Sequence, residues 1–246
     1  MKNLFLFFLL VGSSFVVIAQ STAPSHEAFT RLLKKHVSSK GNVNYGGFIK
    51  DSSALSTYLN MLRKNPPAKS WSREDQMAYW INAYNAFTIV LITKYYPIKS
   101  IKDIGSSIQI PFVNTPWDIK FIQIGKDKLD LNNIEHGILR KRFFDPRLHM
   151  VLVCASKSCP ILLHEAYEGR TLDSQLTKQS RVFLSDPQRN KVSVDHAELS
   201  MIFKWYNMDF NNDGKNVRDF VNQYGPVQIK RDAKISFIEY DWTLNE

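Results

Sequence analysis

Cysteine is scarce in this chain: 246 residues hold only two, Cys154 and Cys159. That excludes a small disulfide-stapled scaffold and a multi-cysteine zinc cluster. Glycine and proline stand at ten each, too few for collagen-like repeats or a flexible linker, and no internal repeat or low-complexity tract is present. Past the N-terminus no apolar run approaches the ~20 residues of a spanning helix. The most apolar later stretch, Trp80 to Leu91, is interrupted by Asn82 and Asn85 and reads as a core helix. Basic residues exceed acidic ones, with a formal net charge of +9, yet the longest basic cluster is Arg140-Lys141-Arg142. Nucleic-acid binders concentrate such charge in a stripe with interleaved aromatics. Nucleic acid is therefore not an expected partner, and the surface charge allows at most weak attraction to anionic surfaces.

Hydrophobic residues make up 44% of the chain and aromatics 13%, which suits one sizeable core. Met1-Lys2-Asn3, the apolar run Leu4 to Leu10 and the small-residue exit Val17-Ile18-Ala19 have the pattern of a signal peptide over residues 1–19. A cut between Ala19 and Gln20 is expected. The expected location is exported, periplasmic or secreted, with no stable membrane insertion after cleavage.

The apolar spacing predicts helices over Ser25 to Val37 and around Leu55 to Leu62, with a turn at Gly46-Gly47 between them. A stronger helix is predicted from Ser72 to Tyr95, capped by Ser72 with Asp75 and closed by Pro97. Ile108 to Asn114 reads as extended, Lys120 to Leu131 as a hairpin about Gly125, Ile134 to Phe144 as a helix, and Leu148 to Val153 as a buried strand. Further helices are expected at Leu172 to Phe183, Glu198 to Met208 and Val217 to Tyr224, with strands at Val192 to Val194 and Ile235 to Tyr240. The fold class is α+β: a single mixed domain with helices packed on a small sheet, in which a helical segment over 20–70 forms one globular unit with 71–246.

Glu135-His136 precedes Cys154 and Cys159 in the chain. A thiol is a nucleophile as thiolate, which an imidazole favours, and the imidazole needs a partner to fix its tautomer. The same residues admit other readings. Cys154, Cys159, His136 and His164 number four, as a zinc site requires, but Cys-x4-Cys matches neither zinc spacing nor the dithiol redox motif. No metal and no cofactor is expected. Asp209 to Gly214 matches half a calcium loop, but Phe220 stands where a bidentate glutamate belongs, so a turn is the reading. A bridge between cysteines this close closes too small a loop to stabilise much, and free thiols are expected.

Several segments together resemble the domain of unknown function 547 family. They are Trp80-Ile81-Asn82-Ala83-Tyr84-Asn85-Ala86, Pro116-Trp117, Ile134-Glu135-His136-Gly137-Ile138-Leu139-Arg140 and Val153-Cys154-Ala155-Ser156-Lys157-Ser158-Cys159-Pro160. Glu165-Ala166-Tyr167, Ile202-Phe203-Lys204-Trp205-Tyr206 and Tyr240-Asp241-Trp242 extend the likeness over most of the chain from Trp71. The resemblance places Glu135, His136 and Cys154 in characteristic segments. Plant-type members carry serine at the position of Cys159, which implies Cys154 as nucleophile, with Cys159 the alternative. Histidine before cysteine is also the order in permuted relatives of the papain-like fold, a likeness at fold level only.

Two functions follow as expectations. One is a thiol-dependent hydrolase or transferase acting on an amide or ester bond of a small-molecule or peptide substrate. Cys154 would attack, His136 would be base and acid, and Glu135, Asn82, Asn85, Arg140 and Asp241 would support the site. The other is a non-catalytic binding or scaffold module of the cell envelope, with Glu135, His136 and Arg140 as a structural network.

Overall fold

The structure, a computed structural model, describes residues 22–246, so the expected signal peptide and its cut lie outside the described residues. Helices α1 (Glu27–His36), α2 (Tyr45–Lys50) and α3 (Ser52–Lys64) lead to α4 (Arg73–Tyr95). Ser72 caps α4 as expected, its hydroxyl accepting from the Asp75 amide at 3.0 Å. From Met77 to Ile89 every α4 residue is buried, so the helix is covered on all sides and forms the axis of the larger core. The expected turn at Gly46-Gly47 is instead part of α2. Asn44 caps it by accepting from the Gly47 amide at 2.8 Å, and the His36 ring lies so close that any Cβ on Gly47 would collide with it.

A hairpin follows, β1 (Ile122–Ile124) against β2 (Asp127–Leu129), turning at Gly125 with φ of 57°. The expected extended segment over 108–114 is a series of turns, and Phe112 adopts the left-handed region at φ of 61°. Where one α-helix was expected over 134–144, residues Asn133–Arg140 form a π-helix that continues into α5 (Lys141–Phe143). Leu148 to Val153 is not a sheet strand. Pro146–Met150 makes a 3-10 turn, and the apolar run is buried without a strand partner.

The remainder comprises α6 (Leu172–Ser185), β3 (Lys191–Val192), β4 (His196–Ser200), α7 (Ile202–Trp205), α8 (Asn207–Phe210), α9 (Val217–Tyr224) and β5 (Lys234–Ile238). β4 pairs antiparallel to β3 and parallel to β5, with Ala197 opposite Ile235. The helix expected from Glu198 thus begins as a strand. Ala197 and Leu199 point to one buried face against Phe203 and Phe220, a period of two that outweighs the helical reading.

The architecture is α+β, with helices around a two-stranded and a three-stranded sheet. The C-terminal tail ties distant parts together. The Val43 amide donates to the Asn245 carbonyl at 2.8 Å, Tyr45 Oη to Asn245 Oδ1 at 2.7 Å, and the Lys157 amide to the Thr243 carbonyl at 2.8 Å. That last contact lays the tail along the cysteine loop.

Candidate ligand cleft

The π-helix, the cysteine loop, α7 and the C-terminal segment enclose a cavity of about 500 Å³. On an ordinary helix adjacent side chains point ~100° apart. Glu135 and His136 nevertheless both line this cavity, and π-helical turns tend to occur at functional sites. Four residues on, Arg140 Nη1 lies 2.6 Å from His136 Nδ1. A guanidinium has no lone pair to offer, so Nδ1 must accept and the ring proton sits on Nε2. Arg140 also grips Asp209 with two bonds, Nε to Oδ2 at 2.6 Å and Nη2 to Oδ1 at 2.7 Å. Asp209 in turn holds the buried His149 at 2.7 Å. The outcome is a chain from His136 through Arg140 and Asp209 to His149, with Tyr206 stacked 3.9 Å from the His149 ring.

Cys154 and Cys159 line the same cavity, but they are bonded to each other. This corrects the expectation of free thiols. The entropy argument bears on how much a bridge stabilises, not on whether it forms. Ala155 at φ of 64° turns the loop, and Ser156 pairs with Leu244 of the tail. The two Cα atoms are thereby set 6.2 Å apart, within disulfide reach. Tyr240 Oη stands 3.3 Å from each sulfur and accepts from Ser156 Oγ at 3.1 Å.

The remaining expected site residues lie elsewhere. Asn85 is buried, donating to the Val151 carbonyl and accepting from the Val153 amide, each at 3.0 Å. Asn82 does the same for one residue, donating to the Tyr167 carbonyl at 2.8 Å and accepting from its amide at 2.9 Å. Both asparagines act as strand partners for chain segments that have none. Asp241 is exposed and accepts from Thr243; it does not orient His136.

Residues 68–184 match the family described as "Protein of unknown function, DUF547". That segment of the chain is a DUF547 match. No curated protein and no solved structure matches the chain.

The DUF547 match contains Glu135, His136, Arg140 and both cysteines, but it ends before the residues that close the cleft. Trp205 and Tyr206, next to α8's Asp209, and Tyr240 with Trp242 come from the segment beyond it. They sit in stretches that carry the family resemblance, though nothing in their spacing assigned them a role. Trp242 packs 5.9 Å from Trp117, 5.7 Å from Trp205 and 4.6 Å from Tyr240, building one aromatic wall. Phe112 contributes to the rim, its ring 5.1 Å from that of His136.

Burial, with Arg140 and His149 nearby, pulls the His136 imidazole below its ordinary value; Glu135 and Asp209 pull against this more weakly. Burial works against an ionised Asp209, but the bonds from Arg140 and His149 prevail and hold it far below the usual carboxylate range. Burial first, then the nearby Glu135 carboxylate, raises the phenols of Tyr84 and Tyr206 well beyond their ordinary values. Both stay protonated and able to donate. Among the described residues no cluster of side chains is suited to a metal ion.

Proposed function

We propose that this protein is a small-molecule binding module whose ligand sits in the aromatic cleft beside Glu135 and His136. The observation that carries this reading is the Arg140–His136 contact. A general base needs a free lone pair directed at the proton it removes. The only one on neutral His136 is committed to Arg140, and the Cys154 sulfur is committed to Cys159. The cavity itself has the make-up of a ligand site, largely apolar and aromatic with a few polar groups. A disulfide also supports export, because such bonds persist in oxidising compartments.

Trp117, Trp205 and Trp242 line the cleft, so their fluorescence reports occupancy. Titration with a small-molecule fragment set should give saturable fluorescence changes, while the unreduced protein turns over no amide or ester in a substrate panel. Hydrolysis without reductant, abolished by Cys154→Ala, would overturn the proposal.

A thiol-dependent hydrolase or transferase is the second reading, favoured by the half-buried position of Cys154 at the cavity wall. It requires reduction of the bridge and release of His136 from Arg140. Under this reading the alkylation rate of reduced protein inflects below the ordinary thiol pKa of ~8.5. His136→Ala would move that inflection back up, and Cys159→Ser would leave it in place.

A further inference from the structure

Among the described residues that line the cleft, Glu135 is a carboxylate without an ion-pair partner, and it bears on the ligand's charge. Glu135 is 6% exposed, and among the described residues it makes no salt bridge. Arg140, whose charge also acts on Glu135, is held bidentately by Asp209, which offsets most of that charge. The protein as a whole is strongly basic, with a net charge of +9, yet the groups that hold this buried carboxylate are the neutral Tyr84 and Tyr206 hydroxyls, and it forms no ion pair with a lysine or arginine among the described residues. Removing a carboxylate from water without a counter-charge is costly. A ligand that brings the positive charge would offset that cost.

The walls favour the same class of ligand. Aromatic faces attract cations through their quadrupole, and cages of such faces take substituted ammonium groups. Trp117, Trp205, Tyr240 and Trp242 form a continuous cluster on one side of the cavity, and Tyr84 and Tyr206 flank Glu135. Two ring faces already attract cations within the protein: Lys102 Nζ lies 5.2 Å from the Trp242 centroid and the Arg140 guanidinium 5.0 Å from that of Tyr206. His136, protonated on Nε2, adds one neutral donor for an oxygen acceptor on the ligand.

We infer that the cleft takes an organic cation, a substituted ammonium compound whose positive group meets Glu135 within the aromatic cage and whose apolar body lies along the tryptophans. This rests on the binding reading above and specifies its ligand class.

The test uses choline as probe and its neutral carbon isostere, 3,3-dimethylbutan-1-ol, as control. Each is titrated into the unreduced full chain at constant ionic strength and followed by tryptophan fluorescence and calorimetry. Choline should bind about tenfold or more tightly than the isostere, the upper part of the range for a desolvated cation on aromatic faces. Glu135→Gln should erase most of that preference. Trp205→Ala, at a rim position 45% exposed and so tolerant of truncation, should weaken choline binding while leaving the fold unchanged by circular dichroism. Equal binding of choline and isostere would overturn the cationic ligand and leave the binding module standing. So would choline binding that survives both substitutions. No response to either probe or to any fragment would overturn both.

Discussion

Asn85 offers the clearest test of how the cysteine loop is positioned. Its amide donates to the Val151 carbonyl and accepts from the Val153 amide, both at 3.0 Å, and the side chain is 2% exposed. Truncation in Asn85→Ala leaves two buried backbone groups unpaired. Each such loss is worth ~1–3 kcal/mol, and partial relaxation brings the expected total to about 3 kcal/mol. Urea unfolding followed by tryptophan fluorescence would measure this as a lower midpoint at unchanged slope. Asn85→Asp supplies the control. A protonated aspartic acid can both donate and accept as asparagine does, whereas a carboxylate would face the Val151 carbonyl with no proton to give. The introduced group therefore has a folded pKa above its unfolded value of ~3.9. Its deficit relative to the native protein should be small near that value and grow as pH rises toward neutrality. A cost under about 1 kcal/mol for Asn85→Ala would refute the clamp. A pH-independent deficit for Asn85→Asp would do the same.

Three further outcomes are expected. Burial depresses His26 to about 4 against a weaker opposing pull from Asp75, so the unfolded chain binds the extra proton first. Stability present above ~6.5 should fall by about 3 kcal/mol as pH drops toward 4, and His26→Gln should flatten that slope in urea titrations at stepped pH. Asp209, held far below the ordinary range, contributes stability above ~3.9 that is lost as pH falls further, so Asp209→Asn should reduce the acid sensitivity of thermal melting below pH ~4. Alkylation of denatured, unreduced protein should label neither cysteine by intact mass; two labels would remove the bridge, and reduction should lower stability by only about 2 kcal/mol, as its small loop implies.

Much of the helical framework was legible because its signals are local. Ser72 with Asp75 marked the start of α4, and Gly125 marked the hairpin turn. Leu148 to Val153 misled because an apolar run states only that the segment is buried. Whether its backbone pairs with a strand or with a side chain depends on residues far away, here Asn85. The same dependence hid the role of the asparagines, since three-residue spacing reports a shared face but not what lies opposite. At β4 the short alternation of Ala197 and Leu199 gains its meaning only from β5, more than thirty residues on.

The site was legible in part, and its least legible feature alters the chemistry. Glu135, His136 and the cysteines are readable as reactive types in distinctive segments, and they do share one cavity. Their electronic state is set by partners. Arg140 stands four residues after His136, the spacing at which helical side chains meet. That spacing is present in the sequence, but only the structure shows Arg140 against Nδ1, where an arginine can only donate and so occupies the lone pair of a neutral His136. Asp209 makes the arrangement stable: without it Arg140 would carry an unneutralised charge into the cleft and compete for Glu135. An aspartate in a turn that half-resembles a calcium loop thus engages the arginine beside His136 across 69 residues of chain, while Glu135 is held by the Tyr84 and Tyr206 hydroxyls.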